Sequence, residues 1–161
     1  MKIRRAEQGD LKAILKVYEI AREYMRQNGN PDQWGTDKPK KELLKDDIKK
    51  GELFVGEDEK GDIHFVFAFI LGKDPTYSYI ENGNWLSDEP YGTIHRIAGD
   101  GTVSGVVKTA VDYCRETIKN IRIDTHEKNK TMQHVLEKLG FLKCGIIYIE
   151  DGSPRIAYQM L

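Results

Sequence analysis

Tyr91–Val107, YGTIHRIAGDGTVSGVV, decides how the rest of the chain is read. Tyr91 to Ala98 combines β-branched and apolar residues without proline, the composition of an interior strand. Gly99 and Gly101 follow. Glycine adopts positive φ without a Cβ clash, so the chain can turn tightly at the strand's end. Ser104 is a suitable N-cap for a helix opening at Gly105. Such a unit turns free amides and the positive end of a helix dipole outward together, which suits a phosphate or pyrophosphate. An ordinary strand-to-helix turn has the same signature, so the flanking chain has to decide.

Working outward, the N-terminal side begins with a short charged edge strand, Lys2 to Arg5. A helix capped by Asp10 follows, with Leu11, Ile14, Leu15, Tyr18, Ala21 and Met25 as its apolar stripe, stopping near Asn28-Gly29. GNPDQWGTDKP, residues 29–39, is a loop by composition, and its Trp34 either packs on the core or lines a pocket. Lys40 to Lys50 is a second helix with Leu43, Leu44 and Ile48 inward. Glu52–Gly56 and Ile63–Leu71 flank a polar turn and form an antiparallel hairpin. IHFVFAFIL is apolar nearly throughout, which requires cover on both faces. His64, at its start, is a strand-end histidine near solvent. Gly72 to Pro90 is a long connection carrying Tyr77, Tyr79, Glu81, Trp85, Asp88 and Glu89; aromatics with carboxylates suit a cationic ligand or simply a packed surface loop.

Beyond the glycine loop, the helix Gly105–Ile118 buries Val106, Val107, Ala110, Val111, Cys114 and Ile118. IRIDT (Ile121–Thr125) alternates, with Arg122 and Asp124 on the face opposite Ile121 and Ile123. A helix from Asn129 ends at Gly140. The strands Phe141–Ile149 and Arg155–Met160 close the chain around an Asp151-Gly152 turn. The order β α α β β β α β α β β predicts a single domain over residues 1–161. Its sheet is mixed, mostly antiparallel and of about seven strands, with four helices on its faces.

Composition narrows the function. With 161 residues, 39% hydrophobic and 32% charged, the chain has the make-up of a soluble globular domain. A net charge of −1 gives no general attraction to nucleic acid or anionic membranes. No apolar run spans a bilayer, and MKIRRAEQGD lacks the apolar segment of a signal peptide, so a cytoplasmic place is expected. Two cysteines without metal-ligand spacing read as buried thiols, and no metal site is expected.

The element order, together with HRIAG, RIDTHEKN and LEKLGF, resembles the GNAT acetyltransferase superfamily. The 91–107 unit looks like that family's acetyl-CoA pyrophosphate loop, whose pattern is Gln or Arg, two residues, Gly, one residue, then Gly or Ala. Here Thr102, Gly105 and Val107 occupy those places, so only Gly105 matches. NKTMQHVLEKLGF, Asn129 to Phe141, follows the family's asparagine-containing helix that ends in Gly-Phe, with Leu136 where a catalytic tyrosine often stands.

The resemblance implies that the sheet splays beside the fourth strand and that the pantetheine arm of acetyl-CoA lies in the gap. Ile97, Ala98 and Gly99 would then bond to the arm, Thr102, Val103, Ser104, Gly105, Val106 and Val107 would take the pyrophosphate, and Asn129 would hold the arm from the other side. Acetyl transfer to an amine needs a base, an oxyanion donor and a proton for the departing thiolate. His95 is the first candidate base, with a packed sheet histidine as its alternative; Glu81, Glu89 and His126 follow. Tyr148 or a water replaces the acid that Leu136 cannot supply. Arg96 is expected to pair with an acid such as Asp124. Trp34, Tyr79 and Trp85 would border an acceptor pocket, with Glu81 or Glu89 drawing in a cationic amine. The implied activity is acetyl-CoA-dependent N-acetylation of a small amine or peptide, in a monomer or homodimer. The alternative is a non-catalytic acyl-CoA-binding module.

Overall fold

The computed structural model describes residues 1–161. Its strands are β1 (Lys2–Arg5), β2 (Leu53–Glu57), β3 (Ile63–Leu71), β4 (Gly92–Gly99), β5 (Ile121–Thr125), β6 (Leu142–Tyr148) and β7 (Pro154–Met160). The helices are α1 (Leu11–Gln27), α2 (Lys41–Lys49), α3 (Val106–Arg115) and α4 (Lys130–Leu139). One seven-stranded sheet runs β1-β2-β3-β4-β5-β7-β6, antiparallel everywhere except between β4 and β5.

The two-residue period of β3 explains how the layers form. Phe65, Phe67 and Phe69 point to one face, where they join Ala110, Val111 and Cys114 of α3 and Leu136 of α4. Val66 and Ala68 point to the other, where they meet Ile14, Val17 and Tyr18 of α1 and Leu44 and Ile48 of α2. An apolar strand is thus covered on both sides, as its composition demands.

Several local expectations change. Asp10 does not cap α1. It closes a 3₁₀ turn, Gln8–Asp10, where its carboxylate accepts the Glu7 amide and a bidentate pair from Arg4. Leu43 is exposed, and the third inward residue of α2 is Asp47. Ser104 makes no cap on α3; Gly105 is the N-cap residue, at φ +70°, a conformation that glycine adopts without strain. Arg122, expected on an outer face, is buried between the rings of Trp85 and Tyr91, 4.0 and 3.9 Å from their centroids.

The long connection 72–90 lies against the β6–β7 side of the sheet. Tyr77 packs with Tyr91, Ile147 and Ala157, and Glu81 forms an isolated bridge to Ile146. The approach is close: a Cβ on Gly145 would meet the Glu81 carbonyl oxygen at 2.6 Å.

Strand β4 carries the decisive irregularity. His95 faces Ala68 and Ala98 faces Val66, so Arg96 and Ile97 together oppose one residue of β3, a bulge with Arg96 at φ +53°. Two contacts hold it. The Arg96 carbonyl accepts the Tyr18 hydroxyl at 2.6 Å, and its guanidinium pairs with Asp47 at 2.9 and 3.0 Å. The expected partner, Asp124, lies elsewhere. On its other side β4 meets β5 only at Gly92–Ile121 and Thr93–Arg122, after which the two strands part.

Burial raises the Asp47 carboxyl's pKa more than Arg96 lowers it, so the pair holds geometry at a desolvation cost. Asp47→Asn should therefore cost about 3 kcal/mol by leaving Arg96 unpaired, and Asp47→Leu with Arg96→Met should recover most of that. Urea unfolding of the native protein and both variants measures this; equal losses in the single and the double variant would contradict this account.

Candidate active site

The parting of β4 and β5 opens a cleft with two adjoining cavities. The first, of about 820 Å³, lies between the C-terminal half of α1, the end of β4 and the starts of α3 and α4. Ile97, Ala98, Gly99, Val103, Val106, Val107 and Asn129 all line it, whereas Thr102, Ser104 and Gly105 do not. Above it the amides of Val106, Val107 and Lys108 make no hydrogen bond within the protein; the first bonded amide of the helix is that of Thr109, to the Gly105 carbonyl. This is the ordinary deficit of a helix N-terminus, here without a side-chain cap.

Thr102 is held elsewhere: its amide and hydroxyl both donate to Asp100. Asp100 and Asp58 together grip His64, each at 2.8 Å. Hydrogen bonds to Asp58 and then Asp100 raise the His64 pKa. This strand-end histidine therefore ties the glycine loop to the β2–β3 turn. Asn129 caps α4 through its oxygen, which accepts the Met132 amide at 3.0 Å, and its nitrogen donates to Gln33 at 3.0 Å. A Lys128–Asp32 ion pair runs beside that bond, so the 29–39 loop is strapped to the start of α4.

The second cavity, of about 560 Å³, shares Met25, Thr36, Ile97, Asn129 and Met132 with the first and is also lined by Trp34, His95, Asp124 and Arg155. Trp34 sits edge-on to Tyr18, ring centroids 5.4 Å apart, so it both packs and lines a cavity. His95 Nε2 lies 2.7 Å from Asp74 Oδ2, and no protein group bonds its Nδ1. Burial would raise the Asp74 carboxyl, but hydrogen bonds from His95 and Thr76 outweigh it and bring its pKa down to about 2. An ionised carboxylate only accepts, so in the neutral ring Nε2 carries the proton and Nδ1 carries the lone pair.

The structure keeps the other expected residues away from this cleft. The Tyr148 hydroxyl donates to Glu81 at 3.0 Å, and the Tyr79 hydroxyl donates to the same carboxylate at 3.0 Å. The Glu81 hydrogen bond raises the Tyr148 pKa and fixes where the hydroxyl points. Trp85 stacks on Arg122 and donates its indole N–H to the Tyr77 carbonyl. Glu89 is exposed, and its carbonyl accepts from Asn120. None of these five residues lines either cavity. The cause is common to them: the 72–90 loop folds onto β6 and β7 instead of over the splay. His126 accepts the Lys128 amide through Nδ1, and burial lowers its pKa.

Sequence reasoning missed Asp74, Asp124 and Arg155. Asp124 accepts the Tyr77 hydroxyl at 2.6 Å while facing the second cavity. Only the alternation of β7, which puts Arg155 in step with buried Ala157 and Gln159, could have marked that arginine as inward-facing. No group of three or more His, Cys, Asp or Glu side chains is placed to hold a metal ion, and no helix is long and apolar enough to cross a membrane.

With this sheet and its splay, the chain aligns over nearly its whole length with acetyltransferases of known structure. A GNAT-family acetyltransferase of Streptococcus agalactiae is 34% identical, with 99% of this chain and 94% of that one covered and a TM-score of 0.85. The chain belongs to the GNAT family of acetyltransferases. A GNAT-family acetyltransferase of Listeria monocytogenes (20% identity, 98% and 92% covered, TM-score 0.72) shares the fold. So does a ribosomal-protein-alanine N-acetyltransferase of Brucella melitensis (16%, 100% and 100%, 0.63). No family profile matches the chain, and no curated protein sequence matches it.

The Asp74 carboxyl yields a pH prediction. Its folded pKa lies below the unfolded value, so its contribution is complete above about pH 4 and is lost as pH falls through about 2. Asp74→Asn should remove about 2 kcal/mol at neutral pH and almost nothing at pH 2. Parallel denaturation curves at pH 6, 4 and 2 check it; a variant gap that is constant with pH would refute it.

Proposed function

We propose that the protein is an acetyl-CoA-dependent N-acetyltransferase acting on a primary amine of a small molecule or peptide. The observation that carries the reading is the meeting of β4's unpaired edge, beyond Thr93, with the free amides of α3 on the wall of one cavity. That cavity opens beside a second one that holds a histidine with a free ring nitrogen.

These groups fit acetyl-CoA. Strand-edge amides and carbonyls suit the amides of its pantetheine arm, and the uncapped helix start suits its pyrophosphate. The recognition uses backbone groups, so Thr102 and Val107 at motif positions need not weaken it. When bound, acetyl-CoA supplies an activated acyl carbon with a thiolate leaving group. Ile97, Ala98 and Gly99 would align the arm, and Asn129 would meet it with the N–H that Gln33 leaves free. His95 Nδ1 would take a proton from the acceptor's ammonium group, while Asp74 holds the ring in the tautomer and orientation that make this transfer productive. A backbone amide of β4 would face the carbonyl oxygen as it gains charge. Leu136 is fully buried in the core and Tyr148 is bound to Glu81, so the proton for the departing thiolate would come from water. Both cysteines are free and buried, in keeping with a reducing cytoplasmic setting.

Acetyl-CoA at about 100 times its dissociation constant should stabilise the fold by roughly 2.7 kcal/mol, read as a rise in Tm and confirmed by calorimetry. His95→Ala should lower turnover by about 10²–10⁴-fold with acetyl-CoA affinity unchanged. Absence of any acetyl-CoA binding would overturn the reading. Binding without turnover across an amine panel would instead establish a non-catalytic binding module.

A further inference from the structure

Two arginines in the chain are buried, Arg122 and Arg155, and their surroundings differ. Arg122 is stacked between two aromatic rings, donates to the Ser87 carbonyl at 2.7 Å and has the Asp88 carboxylate at 3.4 Å, although its Nε has no partner. Arg155 is only 6% exposed, yet no carboxylate lies within 4.0 Å of it. Its two protein partners are backbone carbonyls, Pro154 at 2.8 Å and Gln33 at 3.5 Å. A guanidinium has five N–H donors, so most of its capacity is unused while its charge is buried. Burial lowers its pKa, and Asp124 and Asp151 counter that only from a distance.

The place of Arg155 gives this meaning. It lines the second cavity opposite the β4 wall that carries His95, with Asp124 on the same lining. The other charged side chains there are mostly engaged. Arg96 is paired with Asp47, Asp32 with Lys128, Asp37 with Lys40, and His95 with Asp74. Lys38 has no such partner but is exposed on the rim.

We propose that Arg155 binds a carboxylate of the acceptor, and that the substrate is an amino acid or another amine bearing a carboxylate at the opposite end. This rests on the acetyltransferase reading and specifies its acceptor. The planar fork of a guanidinium matches a carboxylate with two parallel hydrogen bonds. The ammonium end falls toward Asp124 and His95, which supply negative charge and the proton-accepting nitrogen. A dianionic phosphate suits the cavity less well, because one unpaired buried cation would have to offset two charges in the presence of Asp124 and Asp151. A cavity of about 560 Å³ has room for a single amino acid and restricts larger acceptors to what reaches in through its mouth.

The test uses the whole chain with acetyl-CoA and three-member acceptor sets: an α- or ω-amino acid, its carboxamide, and the amine lacking the carboxyl group. Aminoalkylphosphonates form a fourth arm. Transfer is followed by release of CoA thiol. Binding is followed separately, as a Tm shift with CoA present, so that slow turnover does not hide recognition. The acid should exceed its carboxamide in kcat/KM by at least about 30-fold, as expected when a buried charge loses its partner. In Arg155→Gln that ratio should collapse toward one, chiefly through KM for the acid, and Arg155→Lys should restore part of it. Equal loss for acid and carboxamide in the variants would make Arg155 structural. In the native protein, no preference for carboxylates in either assay, or a preference for phosphonates, overturns the inference while leaving acetyl-CoA binding untouched. Failure to bind acetyl-CoA at all would instead remove the reading beneath it.

Discussion

The structure depends on a sheet that is deliberately left unzipped. After two paired positions, β4 and β5 separate, and beyond Thr93 the edge of β4 that faced β5 has no strand to bond, while its other edge stays paired with β3. Buried amides and carbonyls without partners are costly, so such an edge persists only where the surroundings impose it. Here the imposition comes from the other side of β4. The bulge at Arg96, clamped by Tyr18 from α1 and Asp47 from α2, bends the strand just beyond Thr93, its last pairing with β5. The first two helices therefore shape the cleft without contributing to its chemistry.

That division extends across the molecule. The face of Phe65, Phe67 and Phe69 anchors α3, so the uncapped helix start sits at a fixed height above the end of β4. The Asp58–His64–Asp100 contacts pin the intervening loop. At the far edge, the 72–90 connection spends its aromatics on covering β6 and β7 and on enclosing Arg122, while lending only Asp74 to the site, through His95. Rigid hydrophobic layers thus hold a small set of polar groups in register.

How much of this could be read from the residues follows from the range of the interactions involved. Strands and helices emerged from periodicity, because apolar spacing reports burial directly, and the bipartite cover of IHFVFAFIL followed from its composition. The glycine loop and the helix beginning at Asn129 were legible because φ-permissive and capping residues are local signals. The partners of charged side chains were not. Nothing in KDDIKK distinguishes Asp47, which turns inward, from Asp46, which pairs with Lys50 in solvent. Arg122 seemed to face outward because its strand alternates, and its cover comes from residues more than thirty positions away. His95 lines the second cavity from the central strand, whereas Asp124 and Arg155 reach that cavity, and Asp74 reaches His95, from separate elements that only the topology assembles. Tyr79, Glu81, Trp85 and Glu89, expected at an acceptor pocket, line neither cavity for the same reason: a long polar loop does not declare which edge of the sheet it will cover.

The contrast between the two tryptophans has an optical consequence. Trp85 is wedged against a guanidinium with its indole N–H donated to a carbonyl and lines neither cavity, whereas Trp34 stands half-buried on the wall of the second cavity. The chain contains no other tryptophan. Its intrinsic fluorescence therefore separates into two channels by position: Trp85 emits from an environment that changes only when the loop cover unfolds, and Trp34 from one that changes when the cleft is occupied. Replacing Trp85 with phenylalanine leaves a single tryptophan beside the cleft, so occupancy can be followed by its selective excitation without an attached dye.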